Sequence, residues 1–257
     1  MPSPVSGPLS SGQIDDFIER GWTLLSHAFS PAVAAAVRRA LGARIGIDLE
    51  RPEQWTESQV WLQEVLEESP FTDALTDRFR AAVDQVVGPR RWTMTQEMGW
   101  WPTTFPGFDD PPYGDNWHIE GGWFRHHVWS PEQALINLFC FSTVDPGGGG
   151  TLFVEGSHRL AARILWEAEP EGLDNNEFDE PMNAILDQRG WPGVVEVVAE
   201  AGDVVLAHPL LFHSSNANHG IRPRVMAQPA FCMTEPKRTE GHLFPVEIPL
   251  ADARPRR

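Results

Sequence analysis

His118 and Glu120 stand two residues apart in the stretch Trp117-His118-Ile119-Glu120-Gly121-Gly122. In an extended segment, alternate side chains point the same way. The imidazole and the carboxylate then share one side, and Ile119 turns to the other. Together they are two thirds of a facial metal site. His213, far downstream after an apolar run, offers a second imidazole. Two histidines and one carboxylate that leave coordination positions open are the pattern of non-haem Fe(II) oxygenases. Arg222-Pro223-Arg224 follows shortly after His213. A buried arginine is a fork-shaped partner for a carboxylate co-substrate. Arg222 and Arg224 share a strand face if the segment is extended, so spacing alone leaves both open.

Other residues near these motifs have weaker claims. Gln96 is expected to face the pocket. Trp100, Trp101, Trp117, Trp123 and Trp129 crowd the His118 region, and an aromatic pocket wall is one reading of them. Either His126 or His127, after the Gly121-Gly122 bend, is placed to touch substrate. His158 and His208 read as structural.

These residues need strands to hold them, and the chain changes character to provide them. Residues 1–8 are rich in Pro, Ser and Gly and are expected to be disordered. Ser10-x-x-Gln13 is a capping box, with Leu9 and Ile14 as its hydrophobic staple, and opens a helix through Arg20. Trp22 to Leu25 reads as a short strand. Ser30-Pro31 starts a second helix, with Val33, Val37, Leu41 and Ile45 on one face. Further helices are expected over 57–67 and from Ser69-Pro70 to Gly88. From Trp92 the apolar period falls to two. Strands are expected over 134–144, after the glycines 147–150, over 194–198, over 204–207 and over 224–233. Ser157 reads as the N-cap of a helix to about Glu169. Residues 170–192 look like an acidic loop, and the tail after Pro245 carries no motif. The glycines 147–150 precede a strand rather than a helix, which argues against a phosphate-cradling loop. The expectation is one α+β domain, mainly β at its core, with 9–90 as helical support and 91–235 as the core.

Composition bounds the function. The 257-residue chain carries a formal net charge of −16, which disfavours nucleic acid and anionic lipid as partners. Two cysteines in apolar surroundings form no disulfide framework or zinc pattern. No stretch reaches the length of a membrane span and no basic leader precedes an apolar run, so a cytoplasmic location is expected. The acidic, tryptophan-rich character favours a small-molecule substrate over a polymer. Oligomeric state is left open.

In order and combination, the stretch 117–122, the run Gly149 to Arg159, and the run Gly202 to Ser215 leading on to Arg224 resemble the phytanoyl-CoA dioxygenase family. That is a family of Fe(II)/2-oxoglutarate-dependent oxygenases, and the resemblance covers most of the chain. It implies a double-stranded β-helix (a cupin-like jelly roll) flanked by N-terminal helices. It also implies Fe(II), 2-oxoglutarate and O2 as cofactor and co-substrates. His118, Glu120 and His213 would ligate iron. Arg224 would pair with the distal carboxylate of 2-oxoglutarate, supported by Ser215, and Thr151 would line the same site. Hydroxylation of a small metabolite, with a place in secondary metabolism, is the implied reaction. The family usually has Asp where this chain has Glu120, one methylene longer. Radical halogenases built on this fold have a small non-ligating residue there, whereas Glu120 keeps a carboxylate. Two other readings compete. One is a non-catalytic metal- or ligand-binding jelly roll, and the other a cupin-like metalloenzyme that does not use 2-oxoglutarate.

Overall fold

The computed structural model describes residues 7–94, 97–109, 117–191 and 193–255. In chain order the elements are α1 (Ser11–Arg20), β1 (Trp22–Leu25), α2 (Pro31–Ile45), β2 (Gln59–Leu62), α3 (Asp77–Val87), β3 (Trp92–Met94), β4 (Trp101–Thr104), β5 (Ile136–Cys140), β6 (Leu152–Val154), α4 (Ser157–Ala168), α5 (Asn175–Arg189), β7 (Val194–Glu196), β8 (Val204–Ala207), β9 (His213–Ser214), β10 (Arg224–Ala227), β11 (Phe231–Met233) and α6 (Ile248–Asp252).

Two antiparallel sheets form the jelly-roll core. The larger runs β1-β8-β5-β10-β4-β2, and the smaller runs β7-β6-β9. Strands β3 and β11 pair separately. The alternation of side chains along each central strand builds three apolar layers. On β8, Val204 and Leu206 face the N-terminal helices, while Val205 and Ala207 face the smaller sheet. On β5, Phe139 faces the helices, and Ile136, Leu138 and Cys140 face between the sheets. On β10, Val225 and Ala227 face the helices, which turns Arg224 and Met226 inward. A third layer, including Phe178, Met182 and Phe212, lies between the smaller sheet and helices α4 to α6.

The expected N-terminal features hold. Ser10 and Gln13 form a reciprocal capping box on α1, and Ser30 caps α2 ahead of Pro31. Several expectations need correction. Residues 57–67 form no helix: Gln59–Leu62 is an edge strand paired with β4, and Leu66 bridges Met98. Local helix propensity lost to tertiary pairing. The helix expected from Ser69-Pro70 starts only at Asp77, where the Thr76 hydroxyl accepts from the Phe79 N–H.

Residues 170–192 hold a full helix rather than a loop. Asp174 and Glu177 form a capping box, Gly190 closes α5, and Phe178, Met182 and Leu186 recur every fourth residue on its buried face. Pro181 and the acidic composition masked that period. Ser157 is the first residue of α4, not its cap, and its hydroxyl accepts from the Phe212 N–H. The strand expected over 224–233 is split into β10 and β11 by Gln228-Pro229-Ala230, since proline cannot donate to a ladder. The tail beyond Pro245 contributes α6 and buried Glu247, which pairs with Arg91. The disorder expected for residues 1–8 lies mainly outside the described residues. Among the described residues, no helix is long and apolar enough to cross a membrane.

Candidate active site

His118 and His213 are direct cross-strand partners. Each backbone N–H donates to the other's carbonyl at 3.0 Å, which extends the smaller sheet by one bridge. Their rings lie side by side, with centroids 4.3 Å apart. Ile119 is fully buried in the α4–α6 layer, so its neighbours His118 and Glu120 turn the other way, into a cavity between the sheets. Gly121 then bends the chain at φ +113; a Cβ there would meet the Phe124 ring at 2.3 Å.

The donors are tuned by burial. His213 Nδ1 lies 2.9 Å from the Leu211 carbonyl. That contact assigns the proton to Nδ1 and leaves Nε2 as a lone-pair donor, the usual arrangement of a metal-binding histidine. Burial, and then the neighbouring His118, push the His213 pKa down to about 3, so the ring is neutral at physiological pH. Burial raises the Glu120 carboxyl, opposed by His118, the Gln228 amide and the Gly121 N–H. Gln228 Nε2 donates to Glu120 Oε2 at 2.5 Å.

His213 Nε2 stands 3.8 Å from Glu120 Oε2. Donors about 2.1 Å from one ion and at right angles to each other stand roughly 3 Å apart. Accordingly, no three His, Cys, Asp or Glu side chains among the described residues converge on one point as they stand. The donor set nonetheless fits a divalent first-row ion in kind, with neutral imidazole and buried carboxylate on facing strands.

Arg224 enters the same cavity from β10. It is 3% exposed, and burial pushes its pKa down to about 10. Its partners are two hydroxyls, Thr104 Oγ1 at 2.8 Å and Thr151 Oγ1 at 3.4 Å, while its Nε has none. A buried guanidinium with an unanswered donor is costly. A carboxylate delivered by a co-substrate answers it, which is the fit expected for 2-oxoglutarate. Arg222, its competitor on spacing, is half exposed and pairs with Asp145.

The cavity, about 450 Å³, thus gathers His118, Glu120, His213, Arg224, Thr151 and Ser215, with Trp123 in its wall. A larger hollow of about 600 Å³ over α2 has none of these donors in its wall. His127 is not brought to the main cavity. It stacks on Trp129 with centroids 4.4 Å apart, contacts Glu169 at 3.2 Å, and borders only a narrow crevice behind Glu120. Gln96 lies outside the described residues. Of the crowded tryptophans, Trp100 and Trp123 line the cavity, Trp101 is core, and Trp117 packs beside Trp191 and Phe212. His158 and His208 are buried against the carbonyls of Ile18 and Val246.

Two further residues touch the site without having been expected there, Gln228 against Glu120 and Thr104 against Arg224. Gln228 was within reach of sequence reasoning, because the period of two from Arg224 carries Met226 and Gln228 to the same face. Thr104 was not, because its register opposite Arg224 exists only once β4 and β10 pair.

Two histidines, a carboxylate and a buried arginine thus face one cavity of a jelly roll. The chain belongs to the phytanoyl-CoA dioxygenase (PhyH) family, whose profile matches residues 17–226 and whose members use Fe(II), 2-oxoglutarate and O2. Solved structures share the fold. EctD from S. alaskensis with 2-oxoglutarate and 5-hydroxyectoine is 21% identical at a TM-score of 0.60, over 90% of this chain and 81% of that one. SnoK, a non-haem α-ketoglutarate-dependent carbocyclase from nogalamycin biosynthesis, is 15% identical at a TM-score of 0.61, over 90% and 89%. HygX from Streptomyces hygroscopicus with nickel and 2-oxoglutarate is 17% identical at a TM-score of 0.58, over 92% and 96%. No curated protein matches the sequence significantly.

Proposed function

We propose that this chain is a single-domain Fe(II)/2-oxoglutarate-dependent oxygenase that hydroxylates a small metabolite, with His118, Glu120 and His213 as the iron ligands. The observation that carries this reading is Arg224: a buried cation with an unpartnered Nε, facing the same cavity as the three ligating side chains. When bound, iron couples oxidative decarboxylation of 2-oxoglutarate by O2 to oxidation of the substrate.

The protein's own work is positioning and exclusion. The His118–His213 bridge fixes two ligands on adjacent strands. Leu211 holds the His213 tautomer, and Gln228 holds the Glu120 carboxylate. Arg224, steadied by Thr104 and Thr151, takes the distal carboxylate of 2-oxoglutarate, and Ser215 supports it from the cavity wall. Apolar walls, including Leu138 and Met226, keep water from the reacting centre. No side chain is needed as a general acid or base. EctD and HygX were crystallised with 5-hydroxyectoine and hygromycin B, and this likeness supports a small-molecule substrate in secondary metabolism. Two free cysteines suit a reducing cytoplasm.

The test is succinate release from 2-oxoglutarate by the purified protein with Fe(II) and O2. Wild type releases succinate and His213→Ala does not. Metal binding without succinate release, with or without candidate substrates, favours the two competing readings, a cupin-like enzyme that does not use 2-oxoglutarate or a non-catalytic metal- or ligand-binding jelly roll.

A further inference from the structure

We propose that the outer half of the cavity is a substrate subsite for an uncharged ring compound bearing hydroxyl or carbonyl groups. Trp61, Trp100 and Trp123 form its walls, and Gln59 and Gln133 are its polar contacts. Both the identification of this ligand as the substrate and its lack of charge rest on the oxygenase reading, because Arg224 is answered only when 2-oxoglutarate is bound.

The walls are built at a cost. Trp61 and Trp123 line the cavity while remaining 39% and 61% exposed. Trp61 sits on the edge strand β2, opposite Pro102 of β4. Trp100 holds φ +55, a left-handed conformation strained for a bulky residue. The next residue, Trp101, packs into the core against Phe71 and Phe141. The strained turn gives Trp100 the opposite direction, into the cavity, edge-on to Trp61 at 5.8 Å and 69°. The Gln228 N–H fixes this turn by donating to the Gly99 and Trp100 carbonyls at 3.1 and 3.0 Å. One residue therefore ties the aromatic wall to the Glu120 carboxylate.

The polar groups state what the ring must carry. Gln133 is 3% exposed, and its Nε2 donates to the Leu135 carbonyl while its Oε1 is buried without a partner. Gln59 Nε2 is likewise buried without a partner. Both side chains line this cavity. An unanswered acceptor and an unanswered donor suit a ligand with hydroxyl or carbonyl groups.

Charge decides the rest. The ionisable groups among the described lining residues are Glu120, Arg224, His118 and His213. Once iron and 2-oxoglutarate are in place, the two charges of iron and that of Arg224 are balanced by the two carboxylates of 2-oxoglutarate and by Glu120. Among the described lining residues, no cation then remains for a substrate carboxylate or phosphate. The negative faces of the indoles and the net charge of −16 add to the bias against anions. Nor, among the same described residues, is a carboxylate left over to pair with a substrate cation.

The test uses four probes that share the naphthalene ring system: 2-naphthol, naphthalene, 2-naphthoate and 2-naphthylmethylammonium. Each is titrated anaerobically into protein loaded with Fe(II) and 2-oxoglutarate, and binding is read by tryptophan fluorescence. The expected result is 2-naphthol binding roughly tenfold or more tighter than each of the others, as leaving a buried amide unanswered predicts. Gln59→Leu narrows the gap between 2-naphthol and naphthalene. Trp61→Ala and Trp123→Ala weaken all four together. The proposal is overturned if 2-naphthoate or the ammonium binds as well as 2-naphthol, or if both tryptophan variants bind unchanged. The visible band of the Fe(II)–2-oxoglutarate chelate, read in the same samples, reports on the oxygenase reading separately. With the band present, 2-naphthoate binding as well as 2-naphthol overturns the subsite; with the band absent, it defeats the oxygenase reading instead, because Arg224 is then left to take the naphthoate.

Discussion

Gln228 holds Glu120 by the carboxylate: its Nε2 donates to Glu120 Oε2 at 2.5 Å, and its backbone N–H donates to the carbonyls of Gly99 and Trp100. The longer glutamate, where aspartate is usual, has more rotamer freedom to lose on being fixed. An amide across the cavity from the β10–β11 junction restrains it. Gln228→Leu therefore weakens Fe(II) affinity by about 10- to 100-fold, the usual cost of losing a partner behind a metal ligand. Anaerobic metal titration measures this, and an unchanged circular dichroism spectrum shows that the fold is intact. Equal affinity in variant and wild type removes Gln228 from the site.

Arg224 is predicted to behave as a receptor cation awaiting its anion. Arg224→Ala costs about 2–5 kcal/mol of 2-oxoglutarate binding, the range for truncating one partner of a buried charge pair. Arg224→Met is expected to melt no lower than wild type when 2-oxoglutarate is absent, because it removes a buried charge with no carboxylate partner. Adding 2-oxoglutarate then raises the melting temperature of wild type only. Differential scanning fluorimetry with and without the co-substrate reads both effects.

Acid should destabilise the protein through its buried histidines. Burial holds His158 down to about 4, and His208 well below its ordinary value of 6.5. Between the unfolded value and the folded one, the unfolded chain binds protons that the native state refuses. Stability is therefore fully present above about pH 6.5 and falls as pH drops toward 4, by about 1.4 kcal/mol per pH unit per histidine. Asp179 works the other way: burial raises it to about 6, so its cost is full above that value and eases as pH falls toward 3.8. Urea denaturation at stepped pH measures the slope, and His158→Gln should flatten it.

Gly121→Ala tests whether the bend after Glu120 matters. The added Cβ would meet the Phe124 ring, and φ +113 strains any L-residue. The expected result is loss of metal binding with most of the fold retained, seen by comparing metal titration with far-UV circular dichroism.

The period-two alternation made much of this site legible. His118 with Glu120, and Arg224 with its inward neighbours, share faces that any extended strand dictates, and the buried Ile119 shows the rule at work. What was not legible depends on pairing across the sheet. Thr104 meets Arg224 only through β4–β10 register, and Trp61 reaches the cavity only because Gln59–Leu62 pairs as an edge strand instead of continuing as a helix. His127 was misplaced because nothing local reveals that Glu169, beyond α4, captures its ring. The α5 helix was in principle readable from Asp174, Glu177 and Gly190, but its acidic residues and Pro181 look like a loop when taken alone.

The central claim is one iron and 2-oxoglutarate centre built from His118, Glu120, His213 and Arg224. The most direct measurement is anaerobic titration of Fe(II) and 2-oxoglutarate, followed by the visible charge-transfer band of the chelate. Wild type is expected to give a saturable band, His213→Ala none, and Arg224→Ala a band only at much higher 2-oxoglutarate. A wild-type protein that forms no band, or a band that survives His213→Ala unchanged, would contradict the claim.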